Sequence, residues 1–383
     1  MIKVVTGVRR CGKSSLLDLF ESHLLNEGVP KTSIIRMNFE SLEYDDIRTY
    51  KQLNDRITGL LQAGAMNYIL LDEVQQVEQW EKAVNSLHLN KNTDLYITGS
   101  NAYLLSSELS TMLSGRYVEI KMLPLSFKEY IQFNNYGETG DITGHFNQFL
   151  KYGGFPGVTE LQSHPASIMP MISGIYNTII MKDVVQRGAV RDPALLENVV
   201  RFLCGNIGRI VSTKSISDYL TSAGRKAISD TIDNYLKMLE SAFIIYRARR
   251  YDLKGKSHLK TLEKFYLVDI GIRNSLIGFR DDDYGFTLEN VVYFELLRRG
   301  FEVSVGKLGS LEVDFIATQP DKVVYYQVTA SMLDSEVRKR ELEPFFKIQD
   351  NHEKVVLSMD KTPVTDFAGI RSINLLDFLL SGE

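Results

Sequence analysis

The sequence predicts an α/β protein made of several units in series, the first a parallel sheet covered by helices on both faces. Three observations predict it. A glycine-rich turn, GVRRCGKS at Gly7–Ser14, separates an apolar run (Ile2-Lys3-Val4-Val5) from an apolar-periodic stretch (Leu16, Leu17, Leu19, Phe20). Strand-like runs then alternate with helical patterns as far as Ile120. From Leu195 the pattern changes to short helices and a hairpin, and beyond that the tail is α/β again.

The strand-like runs of the first unit are Ile34–Phe39, Tyr68–Leu71, Leu95–Thr98 and Tyr117–Ile120, with helical segments such as Gln79–Leu89 between them. Strands alternating with helices make a parallel sheet buried on both faces. Ligands of such sheets sit at the carboxyl ends of the strands. Three polar strand ends then converge on one crevice: the glycine turn, Asp72-Glu73, and Thr98-Gly99-Ser100-Asn101.

The glycine turn fits G-x-x-x-x-G-K-[ST] in the strand–loop–helix context that phosphate binding needs. Its glycines let backbone N–H groups face a β-phosphate, and the following helix adds the positive end of its dipole. Lys13 is expected to reach the β/γ-phosphates and Ser14 to ligate Mg²⁺. Gly7, Val8, Arg9, Arg10, Cys11, Gly12, Lys13, Ser14 and Ser15 form the expected nucleotide-binding set. Arg9 and Arg10 either steer the nucleotide or are solvated, and Cys11 fills a variable position. Alone, Tyr68–Glu73 would read as a buried strand ending in a solvated turn. With the glycine turn upstream, Asp72 reads as the Mg²⁺-holding acid and Glu73 as the general base that polarises water.

Composition bounds the alternatives. With 383 residues the chain has room for two to four domains, and 44% hydrophobic content supplies ample core. A net charge of −4 gives no global basic field, so any nucleic-acid contact must be local. No apolar run approaches a membrane span, and the first residues already form a strand, so neither membrane insertion nor a signal peptide is expected. Two cysteines (Cys11, Cys204) and six scattered histidines give no disulfide framework or metal-ligand spacing. A cytoplasmic location is expected.

Further along, Tyr152-Gly153-Gly154-Phe155-Pro156-Gly157 breaks a helical stretch and opens a small helical segment to about Gly188. Helices are expected at Leu195–Cys204, Ser215–Leu220 and Ser229–Leu239, the last with Ser229 as N-cap. A strand at Phe243–Arg250, a basic loop at Asp252–Ser257 and a return strand ending at Tyr266–Val268 follow. Three helices and then a hairpin is winged-helix order. The hairpin carries Arg247, Arg249, Arg250, Lys254, Lys256, Lys260 and Lys264, the local charge that a DNA-phosphate contact needs. The competing reading is a solvated hairpin, or a wing that packs domains together. Lys254–Ser257 (KGKS) echoes the phosphate loop, but Arg250 replaces its first glycine, which excludes a second nucleotide site.

In the tail, a helix at Thr287–Arg299 carries Glu289 and Glu295, and strands follow at Glu302–Val305, Glu312–Ala317 and Val323–Val328. A helix, an acid-bearing strand and a second strand resemble the PD-(D/E)XK nuclease core. There an Asp and a Glu ligate Mg²⁺ and a Lys assists the attacking water. Asp314 matches, and Glu289 is a candidate remaining ligand. Gln327 and Thr329 stand where Glu and Lys belong; Gln is a weak Mg²⁺ ligand and Thr supplies no cation. The expected tail is a degenerate fold kept for binding or packing, without nuclease activity.

With these motifs in place, the whole chain resembles a bacterial and archaeal branch of predicted AAA+ ATPases. The resemblance rests on Gly7–Leu17, Leu70–Glu81, Thr98–Leu109, Leu113–Arg116, Tyr152–Gly157, Leu267–Asn274 and Glu312–Ala317. It implies a P-loop AAA+ core over residues 1–145, a helical lid over 146–190, a winged helix over 191–272 and a restriction-endonuclease-like domain over 273–383. It implies ATP and Mg²⁺ as ligands, a γ-phosphate sensor at Ser100 or Asn101, and an arginine finger at Arg116 working in cis or in a neighbouring subunit; read alone, the first would be an ordinary Gly-Ser turn and Arg116 a surface residue at a strand start. The candidate partners are DNA at the winged helix, a protein, and further copies of the chain. Relatives usually carry a segment before the first strand that seats the adenine. Here the chain starts at the strand itself, which implies either a truncated start or weaker base binding.

Overall fold

The computed structural model describes residues 1–100, 113, 115–137, 140–161, 164–259, 261–280, 283–361 and 369–381. By its own contacts the chain forms two compact units. The first comprises Met1–Pro124 with Ser241–Phe243; the second comprises Leu125–Glu240 and Ile244–Glu383. Residues 125–145, expected with the ATPase core, therefore belong to the second unit.

The first unit is a five-stranded sheet: β1 (Ile2–Thr6), β2 (Ile34–Asn38), β3 (Asn67–Asp72), β4 (Thr93–Gly99) and β5 (Tyr117–Lys121), in the order β2-β3-β4-β1-β5. All its pairings are parallel. Helices α1 (Lys13–Asn26), α2 (Tyr50–Thr58) and α3 (Trp80–His88) connect the strands. The central strands are apolar on both faces. Ile35, Met37, Ile69, Leu71 and Ile97 pack with Leu53, Ile57, Val84 and Leu87 from α2 and α3. Leu70 packs with Leu17 and Leu24 from α1. The expected α/β class and parallel core are what the chain forms.

The second unit opens with helices. Helix Ile142–Tyr152 stops at Gly153, in the left-handed region at φ 79°. A Cβ there would lie 2.1 Å from a carboxylate oxygen of Asp269. Asp269 caps helix Ile270–Ile277 and also accepts the Gly154 N–H at 2.6 Å. Asn274 donates to the carbonyls of Leu150 and Lys151 at 2.8 and 3.0 Å. The stretches Tyr152–Gly157 and Leu267–Asn274 thus form one buried joint.

Helices Pro193–Gly205, Thr213–Ser222 and Ser229–Ser241 lie where the periodicity put them. A short strand, β6 (Ile210–Val211), falls between the first two. The hairpin region divides into β7 (Ile245–Ala248), β8 (Arg250–Asp252), β9 (Ser257–His258) and β10 (Glu263–Leu267). β6, β10 and β7 make a small antiparallel sheet. β8 and β9 instead join the sheet of the tail. That sheet contains β11 (Glu302–Leu308), β12 (Leu311–Gln319), β13 (Lys322–Thr329), β14 (Glu353–Ser358) and β15 (Ile370–Asn374). Its order is β15-β14-β13-β12-β11-β8-β9, antiparallel from β11 to β13 and parallel from β13 to β15. Helix Tyr284–Arg298 precedes β11 and helix Ser335–Lys347 joins β13 to β14. The hairpin is therefore no free wing: its outer strands are an edge of the tail's own sheet.

Candidate nucleotide site

The first unit positions its chemistry at the carboxyl ends of β1, β3 and β4. Gly7 leaves β1 at φ 152°, and a Cβ there would lie 2.2 Å from the Met122 carbonyl oxygen. Gly12, at φ 106°, starts α1 without a side-chain cap. The first N–H groups of α1 are therefore left for an acceptor from outside the helix, as anion binding at a helix N-terminus requires. The Lys13 ammonium is buried and donates to the carbonyls of Gly7 and Val8 at 2.9 and 3.1 Å. Ser14 and Ser15, in the first turn, are exposed. Cys11 is buried with its thiol toward the Met122 carbonyl. Burial pushes that thiol up against the opposing pull of Lys13, so Cys11 packs rather than reacts. Arg9 is buried and pairs with Glu40 at 2.7 Å; Arg10 is exposed, at φ 70°.

Asp72 ends β3 and is fully buried. One of its oxygens accepts from the Thr98 hydroxyl; the other lies 3.4 Å from the Arg36 guanidinium. The Thr98 hydroxyl in turn accepts the Glu73 N–H at 3.0 Å. Glu73 is held at φ 52°, ψ 44°, a left-handed conformation uncommon outside glycine and one that concentrates at functional sites. Its carboxylate accepts from Gln75 and, at 3.3 Å, from Ser100. Asn101 lies outside the described residues.

One group escaped the sequence reading, and one was placed in the crevice without its role. Thr98 ties both acids together. Arg36, on β2, reaches Asp72 and also Asp18 at 3.1 Å, while its Nη1 is buried without a partner. Thr98 was legible as a polar strand end; Arg36 was one charged residue in a strand, with nothing to distinguish it.

Residues 1–131 match the family model of an AAA domain, and residues 143–283 that of a domain of unknown function. An uncharacterized protein of Haemophilus influenzae is 41% identical over 381 residues, covering 99% of this chain and 94% of that protein. The chain belongs to that protein's family, one of AAA-type P-loop ATPases. An uncharacterized protein of Methanocaldococcus jannaschii is 29% identical over 356 residues, covering 89% of this chain and 78% of that one. Among solved structures, a Walker-type ATPase of Pyrococcus abyssi is 17% identical, with a TM-score of 0.48, over 72% of this chain and 90% of that one.

Arg116 falls at the end of the sheet away from the phosphate loop. Ile2 pairs with Tyr117 and Thr6 with Lys121. Arg116 precedes that run and the phosphate loop follows it. Five strand residues, roughly 16 Å, separate the two ends. Ser114, its neighbour in the motif, lies outside the described residues.

The tail brings its predicted residues together in a different arrangement from the one expected. Gln327 accepts the Asp314 N–H at 2.7 Å and donates to Glu341 at 3.2 Å. Asp314 accepts the Val328 N–H at 2.9 Å. The Thr329 hydroxyl donates to the Ser331 carbonyl at 3.4 Å. Glu289 accepts from the Tyr266 hydroxyl at 3.2 Å and from Lys264 at 3.0 Å. Lys264 also lies 2.8 Å from Glu312 and 3.9 Å from Asp314. Burial opposes the Lys264 charge, but Glu289, Asp314 and Glu312 outweigh it and hold the ammonium above its ordinary range. Burial, reinforced by Glu289, pushes the Asp314 carboxyl well up. The two directions agree, because one ammonium cannot neutralise three carboxylates. Among the described residues, no group of three or more His, Cys, Asp or Glu is disposed to hold a metal ion.

The hairpin charge is also partly engaged within the chain. Arg247 pairs with Glu240 and Glu263 at 2.8 and 3.0 Å, and Arg250 and Lys264 are buried. Arg249, Lys254 and Lys256 remain exposed, and Lys260 lies outside the described residues. Of the seven-residue basic footprint, Arg247, Arg250 and Lys264 are thereby engaged or buried within the chain. Lys254 and Lys256, with Tyr251, Tyr325, Phe346 and Lys347, line a groove of about 1020 Å³. Among the described residues no helix is long and apolar enough to cross a membrane.

Proposed function

We propose that this chain binds ATP with Mg²⁺ at the phosphate loop, hydrolyses it there, and couples that cycle to duplex DNA through the groove beside Lys254 and Lys256. One observation carries the ATPase reading. An uncapped helix N-terminus, a buried lysine held only by carbonyls, a buried acid and a left-handed glutamate all stand at the carboxyl ends of adjacent strands. The residues fit Mg²⁺ carried with phosphate: the Ser14 hydroxyl is exposed at the helix start, Asp72 is a buried carboxylate at a strand end, and the orphaned Nη1 donor of Arg36 suits a phosphate oxygen. Bound there, Mg²⁺ would neutralise charge on the phosphates.

The rest is the work of protein groups. Lys13 exchanges its two carbonyl acceptors for phosphate oxygens, and the first N–H groups of α1 fix the chain of phosphates. Glu73 orients water for attack and takes its proton. Ser100, bonded to Glu73, is placed to sense the reacting phosphate. Catalysis of this kind is positioning and charge stabilisation. Arg116 contributes only when a second copy of the chain presents it.

The decisive experiment is steady-state ATP hydrolysis with and without duplex DNA, beside the Lys13→Ala variant. Tight ATP binding is expected to disappear in that variant; unchanged affinity would refute the site. Turnover raised by DNA, with binding that weakens as salt rises, supports the DNA coupling. One observation favours a second reading, a nucleotide-gated module that holds a protein partner: Arg247, Arg250 and Lys264 are engaged or buried within the chain. Turnover indifferent to DNA, and no duplex binding at low salt, would select it.

A further inference from the structure

The structure assigns Lys264 the place of a metal ion in the tail. Its ammonium is the built-in cation of the acidic centre, and the tail folds around it without a divalent ion. The two acids that the nuclease-like pattern would use as ligands, Glu289 and Asp314, both face Nζ of Lys264, at 3.0 and 3.9 Å. Glu312, two residues before Asp314 on β12, supplies a third carboxylate at 2.8 Å. The lysine is 2% exposed.

The reasoning is one of charge and space. Mg²⁺ bridging Glu289 and Asp314 would sit at about 2.1 Å from their oxygens. On the oxygens that face Nζ, that puts it against the ammonium, where two like charges repel at short range in a medium of low dielectric. Those oxygens hold one cation or the other, and here the cation is covalently part of β10. Lys264 also cannot leave easily. β10 is paired on both sides, with β6 and β7. A pocket of about 430 Å³ beside the cluster is lined by Glu289, Asp314, Thr329 and Glu341, and Lys264 is not among its lining residues. The ammonium therefore lies behind the two acids as seen from solvent. The consequence is that a hairpin strand and the tail's helix and central strand are joined by one ion cluster. A nuclease-like centre has become a structural joint.

The test uses the full chain, freed of divalent ions and probed with Fe²⁺ and ascorbate, which cut backbone beside a bound metal. Wild type is expected to show no cuts around residues 289 and 312–314. Lys264→Ala is expected to lose thermal stability, to acquire cuts at both places, and to regain part of its melting temperature with Mn²⁺. Cuts at those places in wild type would overturn the proposal. So would a Lys264→Ala chain that is as stable as wild type or gains no cuts. Should that variant fail to fold, Lys264→Met combined with Glu289→Gln decides. Removing one carboxylate along with the ammonium is expected to recover folded protein relative to Lys264→Met alone. No recovery would mean that the lysine does not act by neutralising the acids.

Discussion

Each unit of this protein places a buried lysine near acidic side chains, and the two arrangements have opposite consequences. Lys13 is held by two neutral backbone carbonyls of its own loop, while Asp72 and Glu73 are held by hydroxyl, amide and guanidinium donors. The contacts to the neutral carbonyl, hydroxyl and amide groups can be exchanged for a phosphate, a metal ion or water at modest cost. Lys264 is held by carboxylates directly. Taking one partner from a buried ion cluster leaves an uncompensated charge, which is far more costly than losing a neutral hydrogen bond. The first arrangement is poised to bind a ligand; the second is already complete. A lysine among acids is thus no guide to chemistry until the partners of its ammonium are known.

Breaking the first site should abolish reaction while sparing structure. Glu73→Gln keeps the shape and the hydrogen-bonding reach of the side chain but removes its basicity. Turnover is expected to fall by roughly 10²–10⁴ with ATP affinity nearly unchanged, the range for loss of a positioned base. Single-turnover hydrolysis beside equilibrium nucleotide binding measures both. Turnover within threefold of wild type would remove Glu73 from the mechanism.

Breaking the second should do the reverse. Lys264→Ala is expected to cost about 3–5 kcal/mol of stability, as for other buried pairs broken on one side. Glu289→Gln should cost less, about 1 kcal/mol, because the amide oxygen can still accept from Lys264 and two carboxylates remain. Denaturant unfolding gives both numbers. Equal losses in the two variants would mean that packing, not charge balance, holds this centre.

The contrast also sorts what was readable in the sequence. The phosphate loop and Asp72-Glu73 are local: spacing along the chain fixes their geometry, and the order of apolar runs places them at one end of a parallel sheet. Arg116 was legible as a residue just before a strand, but whether it works in cis or in trans stayed open. The tail centre was not local. Lys264 meets acids 25 to 50 positions further on, from a helix and from a strand. Seven basic residues in one hairpin looked alike, although one signal separated them. Lys264 stands in the run Lys-Phe-Tyr-Leu-Val, apolar on both alternating faces. A lysine in a strand buried on both faces needs a partner, whereas Lys254 and Lys256 stand in a turn and need none. Glu312 and Asp314 share a strand face by their spacing of two, which named the partners' side but not the lysine.

Asp269 sharpens the comparison, because it is a buried carboxylate held by backbone N–H groups, with the charge of Arg298 a lesser influence. It accepts from Gly154 and Ile272 and caps a helix. Burial pushes its carboxyl up to about 6 from the usual 3.8, and the N–H donors pull only partly against it. A folded pKa above the unfolded one means that the native state binds the proton more tightly. The group's stabilising contribution is therefore fully present below about pH 4 and is lost as pH rises through 6. The shift corresponds to about 3 kcal/mol at most. Asp269→Asn cannot titrate and carries no such slope. Differences between wild type and variant cancel the other titrating groups. Asp269→Asn should therefore gain on wild type by up to about 3 kcal/mol between pH 4 and pH 7.5, whatever its offset at pH 4. Urea unfolding of both proteins across that range measures it. A gap that stays flat would mean that Asp269 is ionised throughout, and that N–H donors, helped by the charge of Arg298, can hold a buried carboxylate as well as Lys264 holds its three.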